Sequence, residues 1–220
     1  MEKVMTRSGG FPKRYTIGEE VMNAVTHGLG ALLAVAGGTL LIASSALQGD
    51  PYKLGSSIVY GVSLTVLYLM STIYHSVASP GAKEVLRVFD HCSIFLLIAG
   101  TYTPFALVTL RESGGWVLLG AIWGAAAVGI TLNAVSLKRF EKLSLACYVA
   151  MGWAVVFQAG TLAAALSPVG LALLVAGGLC YTGGIAFYVR RKPYMHGVWH
   201  LFVLAGSVCH FLCILFDVIG

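Results

Sequence analysis

Apolar residues run along this chain in seven long stretches, and short connectors between them hold most of the charged side chains. An α-helix needs about 20 residues to cross roughly 30 Å of bilayer hydrocarbon, and each stretch is long enough. The pattern therefore predicts an all-α membrane protein with seven transmembrane helices. The predicted spans cover residues 21–46, 53–78, 84–109, 115–136, 143–166, 169–189 and 197–219.

The short connectors also predict a simple domain organisation. Residues 1–20 are expected to form a short basic tail, and residues 21–220 a single seven-helix transmembrane domain. Among the prolines of the chain, Pro104 alone lies inside a predicted span. Because proline removes a backbone donor and crowds the preceding turn, we expect a kink in the third helix there.

Composition supports the membrane assignment. Hydrophobic residues make up 58% of the 220 residues, charged residues make up 10%, and the mean hydropathy is +0.84. A soluble domain of this length does not tolerate so many apolar side chains on its surface. We therefore expect a multi-pass protein of the cell (cytoplasmic) membrane, with membrane lipids as its surroundings.

The basic residues predict the orientation. The tail and the 2–3, 4–5 and 6–7 connectors hold twelve of them, against two on the opposite side. Since basic residues concentrate in cytoplasmic loops, the N-terminus is predicted to be cytoplasmic and the C-terminus external. The net charge of +5 is then explained by this orientation and by anionic lipid rather than by nucleic acid. The twelve are Lys3, Arg7, Lys13, Arg14, Lys83, Arg87, Lys138, Arg139, Lys142, Arg190, Arg191 and Lys192, and the two are Lys53 and Arg111.

Polar residues inside the spans gather near the predicted cytoplasmic ends of four helices. At about 1.5 Å of rise per residue they lie at a similar depth, and those on one helix share a face. The outer halves of the spans lack such a layer, which disfavours an ion or zinc transport path. The layer contains Glu20, Asn23 and His27 on the first helix, Ser71 and His75 on the second, Asp90 on the third, and His196 and His200 on the seventh.

Three of these side chains have the chemistry of a zinc site. Zn²⁺ is commonly bound by three neutral imidazoles that leave a fourth position for water, and His75, His196 and His200 supply that set. Such a metal lowers the pKa of its water to about 7, so hydroxide is available at neutral pH. Asp90 is a candidate proton acceptor, and the Ser71 hydroxyl is a candidate partner for the water or a developing oxyanion. This combination favours metal-assisted hydrolysis.

Each feature also has a structural interpretation. Histidines at a helix start often meet lipid headgroups, and Ser71 with His75 could supply interhelical hydrogen bonds. Glu20, with its neighbours on the first helix, could cap that helix at its positive end. We expect Glu20, Asn23 and His27 to support the site rather than to bind the metal.

The motifs in this order resemble a known family. Glu20 to His27 reads ExxNxxTH, Ser71 to His75 reads SxxxH, and the last helix opens with HGVWHLFVLAG from His196. The chain resembles the hemolysin III branch of the progestin and adipoQ receptor (PAQR) family, which includes the adiponectin receptors. The run AGTYTPF from Ala99 to Phe105 is similar to the bacterial branch.

The resemblance implies seven helices with a cytoplasmic N-terminus and an intramembrane zinc held by His75, His196 and His200. It also implies that Asp90 lies near the water on the metal and that Ser71 lies just outside the ligands. Receptor members resemble alkaline ceramidases in this site, which suggests a lipid amide as the substrate class. No protein partner is indicated.

Three functional hypotheses follow. The first is a zinc-dependent lipid amidohydrolase, ceramidase-like, that acts near the cytoplasmic leaflet and contributes to membrane lipid homeostasis. The second is a non-catalytic membrane sensor or homeostasis protein that zinc stabilises. The third is the cytolytic activity that the family name suggests, although the sequence has no amphipathic pore-forming segment.

Overall fold

The computed structural model describes residues 15–190 and 192–220, which are almost entirely helical. Most of the predicted basic tail, with Lys3, Arg7, Lys13 and Arg14, lies outside the described residues, as does Arg191. A π-helix (Phe105–Thr109) extends α3, a 3₁₀-helix (Ala154–Gln158) joins α4 to α5, and a second π-helix (Ile214–Ile219) follows α7. The α-helices are α1 (Ile17–Gln48), α2 (Pro51–Ser76), α3 (Pro80–Pro104), α4 (Gly115–Trp153), α5 (Ala159–Ala165), α6 (Pro168–Tyr188) and α7 (Met195–Cys213).

Local sequence explains where several helices begin. Thr16 and Glu19 form a capping box at the start of α1, in which each side chain bonds the backbone N–H of the other residue. Asp50 caps α2 by accepting hydrogen bonds from two backbone N–H groups. Pro51 follows at the first helical position, where its missing N–H costs nothing.

The predicted irregularity in the third span lies at Pro104. Regular α-helix ends at this residue, and the chain continues as a π-helix from Phe105 to Thr109. Leu110 N–H then donates to the Phe105 carbonyl at 2.7 Å, five residues back. Proline lacks an N–H for the usual hydrogen bond, and a wider turn is one way for the helix to continue past it.

Six helical stretches among the described residues are long and apolar enough to cross a membrane. The predicted fourth and fifth spans lie together in one of them, Gly115–Ala165, which has 51 residues. A straight helix of that length would extend about 77 Å, more than twice the hydrocarbon thickness. By length and composition, six helical stretches of the described residues can span a membrane, whereas the sequence pattern predicts seven spans.

This long stretch is interrupted at Ser136, whose extended backbone (φ −164°, ψ 92°) lies between two helical parts. Ser144 Oγ donates to Asn133 Oδ1 at 2.6 Å, although residues eleven positions apart in a straight helix are separated by about 16 Å. Tyr148 also accepts from Asn133 and donates to the carbonyl of His91 on α3 at 2.9 Å. The chain therefore folds back at Ser136, and its two parts contact each other beside α3.

The helices pack in a continuous series. α1 contacts α2 and α7, α2 contacts α3, α3 contacts α4, and α6 contacts α7. The outward surfaces are strongly apolar, since Ile17, Leu47 and Phe157 are each at least 85% exposed. Such side chains suit a lipid surrounding, so a membrane protein leaves them outside.

Contacts across the bundle identify its two ends. At one end, Lys83 near the start of α3 lies 2.7 Å from Glu20 near the start of α1. At the other end, Gln48 on α1 donates to the carbonyl of Ile219, beyond α7, at 2.8 Å. The starts of α1, α3 and α7 and the end of α2 therefore lie together, where the sequence predicts the polar layer.

Candidate metal centre

Three histidines meet at this end of the bundle. His75 lies in the last turn of α2, and His196 and His200 lie one turn apart at the start of α7. One ligand nitrogen from each ring lies within 4.8 Å of the others. His75 and His200 are almost completely buried, at 3% and 0% exposure. The structure thus brings together the three residues that the sequence predicts as ligands.

The His75 ring is oriented by its neighbours. Its Nδ1 lies 2.6 Å from Glu20 Oε2 and 3.5 Å from the Asn23 amide nitrogen. A carboxylate only accepts, so His75 donates its Nδ1–H to Glu20. The other nitrogen, Nε2, is buried without a hydrogen-bond partner among the described residues. In this tautomer Nε2 carries the lone pair that a metal needs.

His200 is held in a similar way from α1. Its Nδ1 lies 3.3 Å from the carbonyl oxygen of Asn23 and 3.2 Å from the Thr26 hydroxyl. Because a carbonyl only accepts, Nδ1 carries the hydrogen here too. The buried Nε2 of His200 also has no hydrogen-bond partner among the residues that the structure describes. Two rings from different helices therefore each leave Nε2 without a hydrogen bond to the described residues, in a position to bind a metal.

The donor set fits a borderline metal such as Zn²⁺. Two nitrogens bound to one zinc at about 2.1 Å are separated by about 3.4 Å in a tetrahedral site. The three nitrogens lie within 4.8 Å of one another, near enough to share one ion. His196 packs its ring against Trp199 and Tyr15, with centroids 4.9 and 5.1 Å away. Imidazole nitrogen suits zinc, copper, iron and nickel better than magnesium or calcium.

Glu20 has a different role from the helix cap that sequence reasoning left open. Glu19 forms the cap with Thr16, and it also accepts the backbone N–H of Tyr194 at the start of α7. Glu20 instead bridges His75 and Lys83, with oxygen–nitrogen distances of 2.6 and 2.7 Å. Its carboxylate thus lies between a histidine of α2 and a lysine of α3.

Lys83 and Thr26 are the neighbours of this site that sequence reasoning missed. In the sequence Lys83 is one of the connector charges, and in the structure its ammonium also donates to two carbonyls at the end of α2. Thr26 lies three residues after Asn23, so helical spacing places both on one face. That spacing was the available signal for Thr26, whereas the position of Lys83 depends on how α3 packs.

Ser71 and Asp90 are buried in the bundle but lie outside the group of three histidines. Ser71 is 1% exposed, one turn before His75, and its hydroxyl has no hydrogen-bond partner among the described residues. Asp90 is 8% exposed and lies 3.7 Å from the ring of His91. The burial of both residues inside the bundle is consistent with the predicted layer, and their catalytic roles stay predictions.

A narrow cavity of about 150 Å³ passes beside this layer. His27, Asp90 and Trp199 line it at the level of the histidines, and His210 lines it further along α7. His200 and His210 are ten positions apart, which corresponds to about 15 Å of helix. Leucine, isoleucine, valine and aromatic side chains form most of its wall. Its shape and lining suit an apolar chain.

A second, wider cavity of about 630 Å³ reaches the site from α1 and the α2–α3 connector. Glu20, His75 and Lys83 line its polar part, and Val21 and Val25 line its apolar part. Both valines are more than half exposed on the outer face of α1. The candidate metal centre is therefore bordered by a cavity with both a polar and an apolar wall.

Comparisons with known proteins identify the family. The profile of the family described as Haemolysin-III related matches residues 15–211. Hemolysin-3 of Bacillus cereus is 43% identical over 220 residues, covering 100% of this chain and 98% of that protein. The Hemolysin-3 homolog of Bacillus subtilis (strain 168) is 42% identical over 203 residues, covering 92% and 95%. More distantly, the heptahelical transmembrane protein ADIPOR2 of Oryza sativa subsp. japonica is 28% identical over 183 residues, covering 71% and 79%.

Proposed function

The chain belongs to the Haemolysin-III related family, the hemolysin III branch of the PAQR family, and is a multi-pass cell membrane protein; on this premise we propose that it is a zinc-dependent lipid amidohydrolase. The metal is held by His75, His196 and His200. The substrate is a ceramide-like lipid amide near the cytoplasmic leaflet, and the physiological role is membrane lipid homeostasis.

One observation carries this proposal. His75 and His200 each bond a polar group of α1 through Nδ1, while each Nε2 is buried with no hydrogen-bond partner among the described residues. An unpaired polar atom inside a membrane protein is costly, so two such atoms near each other favour a bound ion. When bound, zinc supplies hydroxide at neutral pH and polarises a carbonyl oxygen.

The chain's own residues supply the remaining chemistry. Hydrolysis of an amide needs a group that accepts a proton from the attacking water and later returns one to the leaving nitrogen. Asp90 is the candidate because it is a buried carboxylate on the wall of the cavity that passes the histidine layer. The buried hydroxyl of Ser71 has no hydrogen-bond partner among the described residues and can donate to a developing oxyanion.

The cavity supports a lipid rather than a polar substrate. From His27 and Asp90 its wall continues along Ile94, Leu97 and Val203 towards His210, so most of its length is apolar. A lipid acyl chain that enters from the bilayer exchanges one apolar surrounding for another, whereas a polar substrate would leave its hydrogen bonds unmade along this wall. An amide at the polar end would then lie at the level of Asp90.

We also propose that the chain crosses the membrane seven times, with its N-terminus cytoplasmic and its C-terminus external. Gly115–Ala165 would supply two crossings, because it folds back at Ser136 and is too long for one. Most of the basic residues that the structure describes lie at the end of the bundle that holds Lys83. The opposite end holds Lys53 and Arg111. The positive-inside rule then makes the histidine end cytoplasmic.

The test of catalysis uses purified, zinc-loaded protein and a panel of N-acyl lipids, including ceramides of several chain lengths. The wild type should release fatty acid, and Asp90→Asn should lower kcat by at least about a hundredfold while it keeps its metal. Asn has nearly the volume of Asp, so the variant tests the carboxylate rather than packing. If protein with full metal content turns over none of these lipids, the proposed hydrolase activity is contradicted.

A non-catalytic zinc protein is the second candidate, and the placement of the ligands favours it. His75 and His200 come from α2 and α7, and both are held by residues of α1, so a bound metal would tie three helices together. In that case zinc should raise the thermal midpoint of the wild type, and Asp90→Asn should leave cellular function intact. Loss of function in that variant at normal stability contradicts this candidate.

A further inference from the structure

His27 is a buried histidine of α1 that packs beside the candidate metal centre. It is 2% exposed, and neither Nδ1 nor Nε2 is bonded to any of the described residues. Its ring instead stacks on the ring of His200, with centroids 3.5 Å apart and planes 12° from parallel. It also meets Tyr68 edge-on at 5.0 Å. The aromatic contacts hold the ring in place and leave both nitrogens unsatisfied.

A purely structural histidine would satisfy at least one of these atoms. His210 bonds the carbonyl of Leu174 at 3.1 Å, and His91 bonds the carbonyl of Arg87 at 2.9 Å. Leaving a buried polar group unpaired costs free energy, and the cost is larger where water is scarce. His27 therefore differs from the other buried histidines in a way that packing does not explain.

Metal binding does not explain His27 either. The three nitrogens that lie close enough to share an ion belong to His75, His196 and His200. Imidazole nitrogens bind a metal along the plane of the ring, and two stacked parallel rings direct their nitrogens side by side. His27 is stacked on His200 in this way, so the two rings do not converge on one ion.

The remaining explanation lies in the narrow cavity. His27 lines it together with Asp90 and Trp199, at the level of the candidate metal centre. A neutral imidazole has one N–H donor and one acceptor. We propose that His27 binds the polar group of a lipid-like ligand in this cavity, donating a hydrogen bond to its carbonyl or hydroxyl oxygen. This inference rests on the proposed function, and it assigns the recognition of the ligand's polar group to α1.

His27→Phe is the informative variant. Phenylalanine keeps a flat ring that can stack on His200 and meet Tyr68, and it lacks both nitrogens. His27→Gln is its partner, because glutamine restores an N–H donor without the ring. His91→Phe is the matched control, since it replaces a half-buried histidine that does not line the cavity.

The experiment measures two quantities in each variant: metal content, and equilibrium binding of a fluorescent N-acyl sphingosine to protein in nanodiscs. We expect His27→Phe to keep its metal and to bind the probe about tenfold more weakly, the change from one lost hydrogen bond. His27→Gln should recover part of this affinity, and His91→Phe should match the wild type. If the probe is turned over, the loss should appear in KM more than in kcat.

Several outcomes would overturn the inference. Unchanged probe affinity in His27→Phe, or loss of metal from that variant, would show that His27 does not bind the ligand. A wild type that fails to bind the probe would show that the ligand class is wrong. By contrast, a wild type that binds the probe without any metal would contradict the proposed function and leave the role of His27 standing.

Discussion

At the scale of single residues, Glu20 connects the third helix to the candidate metal centre. Its two carboxylate oxygens are shared between the ring of His75 at 2.6 Å and the ammonium of Lys83 at 2.7 Å. Partners of this kind fix the orientation of a ligating histidine and raise its basicity. Lys83 acts through Glu20, so we regard it as a positioning residue.

Replacing Lys83 should therefore weaken metal binding. Lys83→Met keeps the apolar stem but leaves one Glu20 oxygen without its cation, so we expect zinc affinity to fall by about tenfold. Lys83→Arg should recover most of the loss. Competition with a zinc-binding dye measures the affinity of each variant.

Lys53 provides the control at the opposite end of the bundle. It also makes two hydrogen bonds, to Gln48 and to the carbonyl of Ile219. Lys53→Met should leave zinc affinity unchanged even if it lowers stability. Equal losses in the Lys53 and Lys83 variants would assign the effect to general destabilisation.

The identity of the central residues could be predicted, but their partners could not. Spacing along the helices places His196 and His200 on one face, and depth counting brings His75 to their level. Which oxygen meets each Nδ1 depends on helix rotation and side-chain rotamers, which sequence spacing does not specify. Sequence reasoning therefore left capping open as the role of Glu20, and the structure gives the cap to Glu19.

At the scale of helices, glycine sets the approach of α1 and α2. A Cβ added to Gly38 would lie 3.2 Å from the Cα of Gly61, and one added to Gly61 would lie 3.1 Å from the Cα of Gly38. Both contacts are with backbone, which cannot rotate away. Small residues at such a crossing let two membrane helices come close.

Gly38→Ala should separate these helices and lower stability by about 1–3 kcal/mol. Gly120→Ala is the control, because a Cβ at Gly120 meets no atom of the described residues within 4 Å. Thermal unfolding in one detergent compares the two variants. A Gly38→Ala protein as stable as Gly120→Ala would contradict the close approach.

These positions were difficult to recognise from sequence alone. Gly120 and Gly124 form a GxxxG pattern typical of helix packing, yet neither has a neighbour within 4 Å of an added Cβ. Gly38 and Gly61 lie in different helices without a shared motif. Since each glycine pattern describes one helix only, the partner face becomes known when both helices are placed.

At the scale of the whole molecule, the length of the apolar stretches identifies the membrane-spanning regions. It does not by itself decide how many times Gly115–Ala165 crosses the membrane. The predicted boundaries of the first three spans fall within a few residues of α1, α2 and the extended α3. The predicted fourth span ends at residue 136, where the chain folds back, although helical hydrogen bonding continues close to Ser136 on both sides and Gly115–Ala165 counts as one stretch. The polar residues Asn133 and Ser144, which bond across the turn, were not recognised as a pair.

Reporter fusions test the resulting topology. With seven crossings, alkaline phosphatase fused after Gly220 should be active outside the cell, and a fluorescent protein fused there should be dark. A fluorescent protein inserted between Lys138 and Arg139 should remain bright in the cytoplasm. A bright fusion at Gly220 would indicate an even number of crossings if the N-terminus is cytoplasmic.

The central claim is that His75, His196 and His200 hold one metal ion, and mass spectrometry of the purified protein tests it most directly. The wild type in mild detergent should contain about one zinc per chain, because the three histidines together supply the imidazole ligands of one site. His75→Ala, His196→Ala and His200→Ala should each lose it, whereas His210→Ala, at the far end of the cavity, should retain it. A wild type with no bound metal after zinc supplementation, or variants that all keep it, would contradict the account.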